Sequence, residues 1–431
     1  MISYLLEHAS QENWQLTVAD ISKESAAIKL GGHPAGEAIA LDIHNSVSTS
    51  AEIEKCDLVL SMLPAHMHIS VARECVRLKK HLVTASYVTE EMQDLDKHAL
   101  AAGVILLNEC GLDPGIDHMS AMEVIDKIHG EGGKFSSFKS FTGGLVAPES
   151  NDNPWGYKFS WNPRNVILAG QSTARYIDGG KYKYVPYNRL YAHIEKINVK
   201  GLGSFDGYPN RDSLSYRKIY NLENIETMLR GTLRQDGFCK AWNIFVQLGL
   251  TDDSYKIEEA SKLSYAELVD AFLPVSTEKS SIRKRVAEFV RLAEDDPAMK
   301  MIEWTGILEV VKIDLQKGSP AEILQSLLEK KWVLKKEDKD MIVMQHSFKY
   351  AKGGKKFKLD SSLVVKGDDS IYTAMAKTVG LPAAIAARLI LSGKISGRGV
   401  KIPVEKEIYI PILKELDNMG ISFVHQLEEC S

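Results

Sequence analysis

The residues of this chain with the clearest chemical potential lie in the stretch Asn108-Glu-Cys-Gly-Leu-Asp-Pro-Gly-Ile-Asp-His118. Asp113 and Asp117 are carboxylates able to take up and return a proton, and they share a turn with Gly111, Gly115 and Pro114. Glycine at such a turn lets a ligand come close to the backbone, because no Cβ bars the approach. The competing role for the same residues is a helix cap, since Asp is common just before a helix. The apolar run from Gly103 to Leu107 predicts a buried parallel strand before the turn. Met119–Ile128 predicts a helix after it. Strand, turn and helix together form a crevice at the carboxyl end of a sheet, where open α/β folds bind ligands.

The elements upstream fit that picture. Leu16–Asp20, Ala38–Asp42, Asp57–Ser61, Leu82–Thr84 and Val104–Leu107 read as short strands, separated in the later part by helical patterns at Ser70–Leu78 and Glu91–Ala102. Such alternation predicts a parallel Rossmann-type sheet. Asp20 closes its strand where a Rossmann unit places the acid that binds the adenosine ribose, about 20 residues after a glycine-rich turn. Counting back from Asp20 runs off the front of the chain, so the first strand and that turn are expected to be missing. A carboxylate at Asp20 accepts hydrogen bonds from the ribose diol and repels a 2′-phosphate, which predicts NAD as cofactor with NADP as the other option. His66 and His68 have no third ligand at suitable spacing, so no metal is expected.

Beyond the turn the texture changes. Phe135–Phe141 and Arg189–Val199 alternate polar and apolar residues as antiparallel strands do. Met341–Tyr350 and Lys356–Val365 predict a hairpin across Ala351–Gly354. Leu222–Lys336 is helical in pattern and poor in strands. Ala374–Ile390 predicts a helix that breaks or restarts at Pro382. The expected fold is thus α/β, with a dinucleotide-binding domain over 1–116 and a mixed α/β domain over 117–221 and 337–393. An α-helical insertion over 222–336 and a segment over 394–431 that packs back on the body complete it.

At 431 residues two or three domains are expected. A net charge of −4 gives no basic excess for nucleic acid. The nearest approach to a membrane span, Leu381–Leu391, is interrupted by Arg388. The 5 cysteines form no C-x-x-C pair, which fits reduced thiols and a cytoplasmic location.

Four further stretches accompany the Asp113 turn: Val83-Thr-Ala-Ser-Tyr87, Asp152-Asn-Pro-Trp-Gly-Tyr-Lys-Phe-Ser-Trp161, Gly207-Tyr-Pro-Asn-Arg-Asp-Ser213 and Leu229-Arg-Gly-Thr-Leu-Arg234. Together, in this order, they resemble the glutamate-forming saccharopine dehydrogenases. The resemblance runs from about Val18 to the C-terminus. It implies saccharopine as substrate, a lysine whose side-chain nitrogen is joined to the α-carbon of a glutamate. It also implies hydride transfer from the lysine ε-carbon to a nicotinamide, then hydrolysis to glutamate and 2-aminoadipate 6-semialdehyde, or the reverse.

Under that resemblance Asp113 and Tyr87 are the candidates for proton handling. Three carboxylates on the substrate call for fixed cations, which arginine supplies best through its planar fork. The candidates are Arg164, Arg211 and Arg234, with Ser86, Phe159, Ser160, Trp161, Thr232 and Leu233 as further substrate contacts. Asp42, Ile43, Leu63, Pro64, Thr84, Ala85, Leu112 and Pro114 join Asp20 and Asp113 on the cofactor side. Thr142 stands where relatives commonly carry Cys, which argues against an essential thiol there. Partners other than substrate are limited to a second copy of the chain, as a homodimer. Carboxynorspermidine synthase-like reductive amination stays open. So does a non-catalytic binding protein, the reading that the missing glycine-rich turn invites.

Overall fold

The computed structural model describes residues 1–169, 171–210, 212–277 and 280–430. The chain forms two compact units, one of Met1–Gly132 with Ala376–Phe423, the other of Gly133–Met375 with the chain end from Val424. It therefore builds most of the first unit, leaves to build the second, and returns.

The helix Ile2–Glu12 comes first, then strands β1 (Leu16–Asp20) and β2 (Gly36–Ala40), β3 (Leu58–Ser61), β4 (His81–Thr84) and β5 (Ile105–Leu107). β1 and β2 pair in parallel, with Leu16 opposite Gly36 and Asp20 opposite Ala40. β3, β4 and β5 pair in parallel within a separate sheet. The helix His68–Leu78 packs on that sheet because Val71, Ala72 and Cys75 recur on one face. They meet Leu82 and Leu106 in one buried cluster, each large aliphatic side chain contributing roughly 1.5–3 kcal/mol by leaving water. The predicted helix at 91–102 is two, Glu90–Gln93 and Asp96–Ala102, and the helix after the Asp113 turn runs Ile116–Gly130.

The second unit holds β6 (Lys134–Val146), β7 (Ala174–Asp178), β8 (Lys181–Val185), β9 (Glu195–Val199), β10 (Gly203–Pro209), β11 (Thr227–Gln235), β12 (Asp340–Lys352) and β13 (Lys355–Lys366). β12 and β13 form the predicted hairpin around Gly353 and Gly354. The chain then returns through the helix Ala374–Leu391 and β14 (Gly399–Lys401), which pairs in parallel with β5. After the helix Lys406–Asn418 it ends in β15 (Phe423–Cys430), the edge of the large sheet. That sheet runs β15-β13-β12-β6-β11-β10-β9, with β7 beside β11 and β8 beside β7.

Four expectations need correction. Arg189 and Leu190 lie in a helical turn (Tyr187–Leu190) following Pro186, not in a strand; proline fixes φ and suits the position before that turn. The span 222–336 is not a separate helical insertion, since β11 lies inside it and pairs with both β6 and β10. Pro382 does not break its helix. Burial of Leu381, Ala383, Ala384 and Ile385 outweighs the roughly 3 kcal/mol that an internal proline costs. That helix is long and apolar enough to cross a membrane, yet 67% of it is buried inside the protein. Finally, Ile116–Gly130 and most of Ala374–Leu391 belong to the first unit, while 394–431 is shared, with β14 in the first unit and β15 in the second.

Candidate active site

In the first unit the carboxyl ends of β4 and β5 bring two predicted residues together. The Tyr87 hydroxyl donates to Asp113 Oδ1 at 3.0 Å. Asp113 sits on a tight turn in which Gly111 donates its N–H to the Pro114 carbonyl at 3.0 Å, and the Asp113–Pro114 peptide is cis. Gly115 has φ +148°, and a Cβ there would overlap the Gly111 backbone. Asp117, by contrast, is buried and accepts the Gly115 N–H at 2.7 Å. It lies inside the first turn of the helix, not before it, and reaches back to the residue that precedes the helix, where a negative charge suits the helix N-terminus.

His68, set aside by the sequence, proves central to this end of the sheet. Its Nδ1 lies 2.8 Å from Ser61 Oγ, at the end of β3. Its Nε2 lies 2.8 Å from Ser86 Oγ and 3.2 Å from Thr84 Oγ1, beyond and at the end of β4. Both ring nitrogens are thus engaged with hydroxyls. Burial pushes its pKa below the ordinary histidine value, so the ring is neutral at pH 7 and one nitrogen donates while the other accepts. The helix that begins at His68, one short turn beyond the end of β3, was the available signal; the apparent His66/His68 metal pair obscured it.

The remaining cofactor-side candidates lie at or just beyond strand ends. Asp20 is exposed and accepts the Ser22 N–H at 2.9 Å. Asp42, also exposed, accepts the His44 N–H at 2.9 Å. Ile43 and Leu63 pack against the core, Pro64 precedes a short turn of helix, and Leu112 is buried. Gly111 lies against Ala85, where an added Cβ would come within 2.8 Å of that methyl. This donor set suits a nicotinamide dinucleotide: carboxylates for ribose hydroxyls, strand-end backbone for the rings, and a helix Ile2–Glu12 whose first N–H groups no side chain caps. No G-x-G-x-x-G occurs in the sequence.

In the second unit Arg234 is the telling residue. It is 4% exposed. It lies over the rings of Tyr157 and Phe238 at 5.3 and 5.5 Å, and its Nη1 donates to the Leu233 carbonyl at 3.0 Å. Its Nε is buried with no hydrogen-bond partner. No carboxylate among the described residues pairs with it. A buried guanidinium without a counter-charge is costly, so the place fits an incoming carboxylate. The phenols around it, Tyr157 and Tyr191, are pushed up by burial and stay neutral.

The aromatic segment runs beside this cation. Trp161 donates from Nε1 to the Tyr157 hydroxyl at 3.1 Å, and Phe159 donates its N–H to the Trp332 carbonyl at 2.9 Å. Ser160 lies near Asp340, whose carboxyl is pushed up by burial and accepts the Met375 N–H at 2.9 Å. Lys158 holds the segment through Asp338 at 2.7 Å and Asp152 at 3.0 Å. An open groove lined by Phe159, Ser160, Trp161, Trp332 and Thr373 adjoins it. Thr232 lies opposite Tyr208, and Leu233 opposite Gly207, in the β10–β11 ladder. Thr142 carries a buried hydroxyl without a hydrogen-bond partner.

Arg164 does not join this group, because Asp253 takes its guanidinium as an ion pair. Arg211 lies outside the described residues. Tyr157 was missed by the sequence reading although it stands inside the aromatic motif; its apolar neighbours made it look like core.

Comparison with known proteins places the chain in a family. The family described as "Saccharopine dehydrogenase NADP binding domain" matches residues 1–107, and "Saccharopine dehydrogenase C-terminal domain" matches 111–421. A Pyricularia oryzae protein named saccharopine dehydrogenase [NADP(+), L-glutamate-forming] is 36% identical over 93% of this chain and 91% of its own length. The mitochondrial alpha-aminoadipic semialdehyde synthase of Rattus norvegicus is 40% identical over 86% of this chain, which spans 40% of that longer protein. The structure of apo saccharopine dehydrogenase (L-Glu forming) from Saccharomyces cerevisiae matches with a TM-score of 0.88 at 33% identity, covering 99% of this chain and 96% of that one.

Proposed function

The chain belongs to the glutamate-forming saccharopine dehydrogenase family, and from that membership we propose that it interconverts saccharopine with glutamate and 2-aminoadipate 6-semialdehyde, a step of lysine metabolism. When bound, the nicotinamide dinucleotide supplies the hydride acceptor, or the donor in the reverse direction. For glutamate to keep the nitrogen, the bond oxidised must be the C–H of the lysine ε-carbon. Water then adds to the resulting C=N bond, and collapse releases the aldehyde and the amine.

The residues manage protons and charge. Asp113, with Tyr87 donating to it at 3.0 Å, takes the proton of the substrate's ammonium nitrogen and releases it to solvent; once the C=N bond has formed it takes a proton from the attacking water and passes it to the nitrogen that leaves as the amine of glutamate. Ser86, held by His68 at 2.8 Å, offers a hydroxyl to the polar end of the substrate. Arg234 binds a substrate carboxylate. That buried cation with no carboxylate partner among the described residues is the observation that carries the substrate class.

The cofactor we adopt is NADP, which the relatives' names and the matching family description carry; the expectation of NAD as the preferred cofactor has no support there. It rested on Asp20, whose charge opposes a 2′-phosphate. Replacing Asp20 with Ser therefore raises kcat/KM with NADP relative to NAD. The deciding assay follows reduced nicotinamide and glutamate with saccharopine and either cofactor. Absence of both products, with carboxynorspermidine turned over instead, moves the assignment to reductive amination of that substrate.

A further inference from the structure

The Tyr87–Asp113 pair spans two segments, the exit of β4 and the turn after β5, and a buried carboxylate behind the pair is bound to both. Glu109 is 4% exposed. Its backbone is left-handed, with φ +55°, a conformation that strains a residue with a Cβ and clusters at functional sites. In that conformation its N–H reaches the Ser86 carbonyl at 3.0 Å. Its Oε1 accepts the N–H of Val88, the residue after Tyr87, at 3.0 Å. Its Oε2 meets His118 Nε2 at 2.8 Å. His118 is wholly buried in the first turn of the helix that follows Asp113, with Nδ1 3.7 Å from Asp117 Oδ2.

A buried polar pair adds little stability over a well-packed apolar replacement, so stability alone is a weak reason for one here. What such a pair does supply is a fixed register between the segments it joins. An error of about 1 Å between reacting groups costs roughly a hundredfold in rate, and these two segments carry the two members of the proton-handling pair.

We propose that Glu109 and His118 are positioning residues that lock the β4 exit to the Asp113 turn and so hold Tyr87 and Asp113 at hydrogen-bond distance. The inference rests on the reading of Tyr87–Asp113 given above. Neither side chain touches substrate; both act through the pair.

The test uses the full chain and its Glu109→Gln, His118→Asn, Asp113→Asn and Glu109→Gln/Asp113→Asn variants. Saccharopine kinetics are measured across pH, with NADPH binding as the check on folding. In Glu109→Gln and His118→Asn, kcat should fall about tenfold or more, the pH profile should shift, and NADPH affinity should stay the same. The double variant should be no slower than Asp113→Asn alone, because a residue that acts through Asp113 has nothing left to position. The proposal is overturned if both single variants keep kcat and pH profile while Asp113→Asn is inactive, or if the losses multiply in the double variant. An Asp113→Asn protein with unaltered kinetics instead removes the reading of the site on which the inference stands.

Discussion

Arg234 and His68 show how a single side chain's surroundings set its use. Arg234 is enclosed by aromatic rings that can stabilise a cation but cannot neutralise it. Replacing it with Met should cut kcat/KM for saccharopine by roughly ten- to a hundredfold, about 1.5–3 kcal/mol of a charge-assisted hydrogen bond. Removing a buried charge that has no carboxylate partner among the described residues should at the same time leave thermal stability equal or higher. Unchanged kinetics would take Arg234 out of the site. His68 gives a pH prediction. Its folded pKa lies below the ordinary 6.5 because burial disfavours the charged ring. The unfolded chain therefore takes up its proton first, so this contribution to stability is fully present above about pH 6.5 and is lost as pH falls through the folded value. Urea unfolding on both sides of pH 6.5 should show that slope in the native protein and a flatter one in His68→Gln. At this scale sequence pattern was a partial guide. Arg234 was legible through its motif. Arg164 was not, because the partner that occupies it, Asp253, belongs to a different part of the chain that only folding brings near.

Elements fix where these side chains stand, and the aromatic segment Asn153–Trp161 is the one whose placement depends most on a single group. Trp155 anchors its front, stacked on Phe245 with centroids 5.7 Å apart. Lys158 anchors its rear, its side chain 1% exposed between Asp338 and Asp152. Lys158→Met would leave the largely buried Asp338 without its ammonium partner. Breaking a buried pair from one side costs about 3–5 kcal/mol; the half-exposed Asp152 and the neighbouring Lys335 lower the expected loss to about 3 kcal/mol or less. Because Trp161 and Tyr157 sit in the same segment as Lys158, KM for saccharopine should rise more than kcat falls. A melt and a saccharopine titration check the two parts, and a variant with native KM would show that the segment is held without Lys158. Strand positions were readable here where alternation or a continuous apolar run was long enough, as at β12 and β13. Elements decided by tertiary packing were not. β14 has 3 residues and no periodicity of its own, and the helix through Pro382 survives only because its apolar faces are buried.

At the scale of the whole molecule, the sheet that carries the Tyr87–Asp113 pair is completed by a strand made some 290 residues later in the chain than β5. β5 lies between β4 and β14, so without β14 it would be an edge with unpaired backbone groups. The tie continues past the strand, where the Asn108 N–H donates to the Lys401 carbonyl at 2.8 Å at the start of the Asp113 turn. Gly399 opens β14 with φ +89°. A Cβ there would collide with Asp96 and press on Leu100, and Asp96 Oδ1 already accepts the Val400 N–H at 2.8 Å. Gly399→Val adds a β-branched side chain where left-handed backbone disfavours any L-residue, a strain of about 1–3 kcal/mol before the collision is counted. Hydrogen exchange should then show faster exchange of the amides in β4, β5 and β14 and in the Asn108–Gly115 turn, while β6, β11 and β12 keep their protection. Activity should fall with the first group, because the turn that presents Asp113 is spliced to β14 through Lys401. Unaltered protection in β5 would mean that the parallel pairing with β14 contributes nothing to holding the turn, and that the return of the chain to the first unit serves some other purpose than completing this sheet.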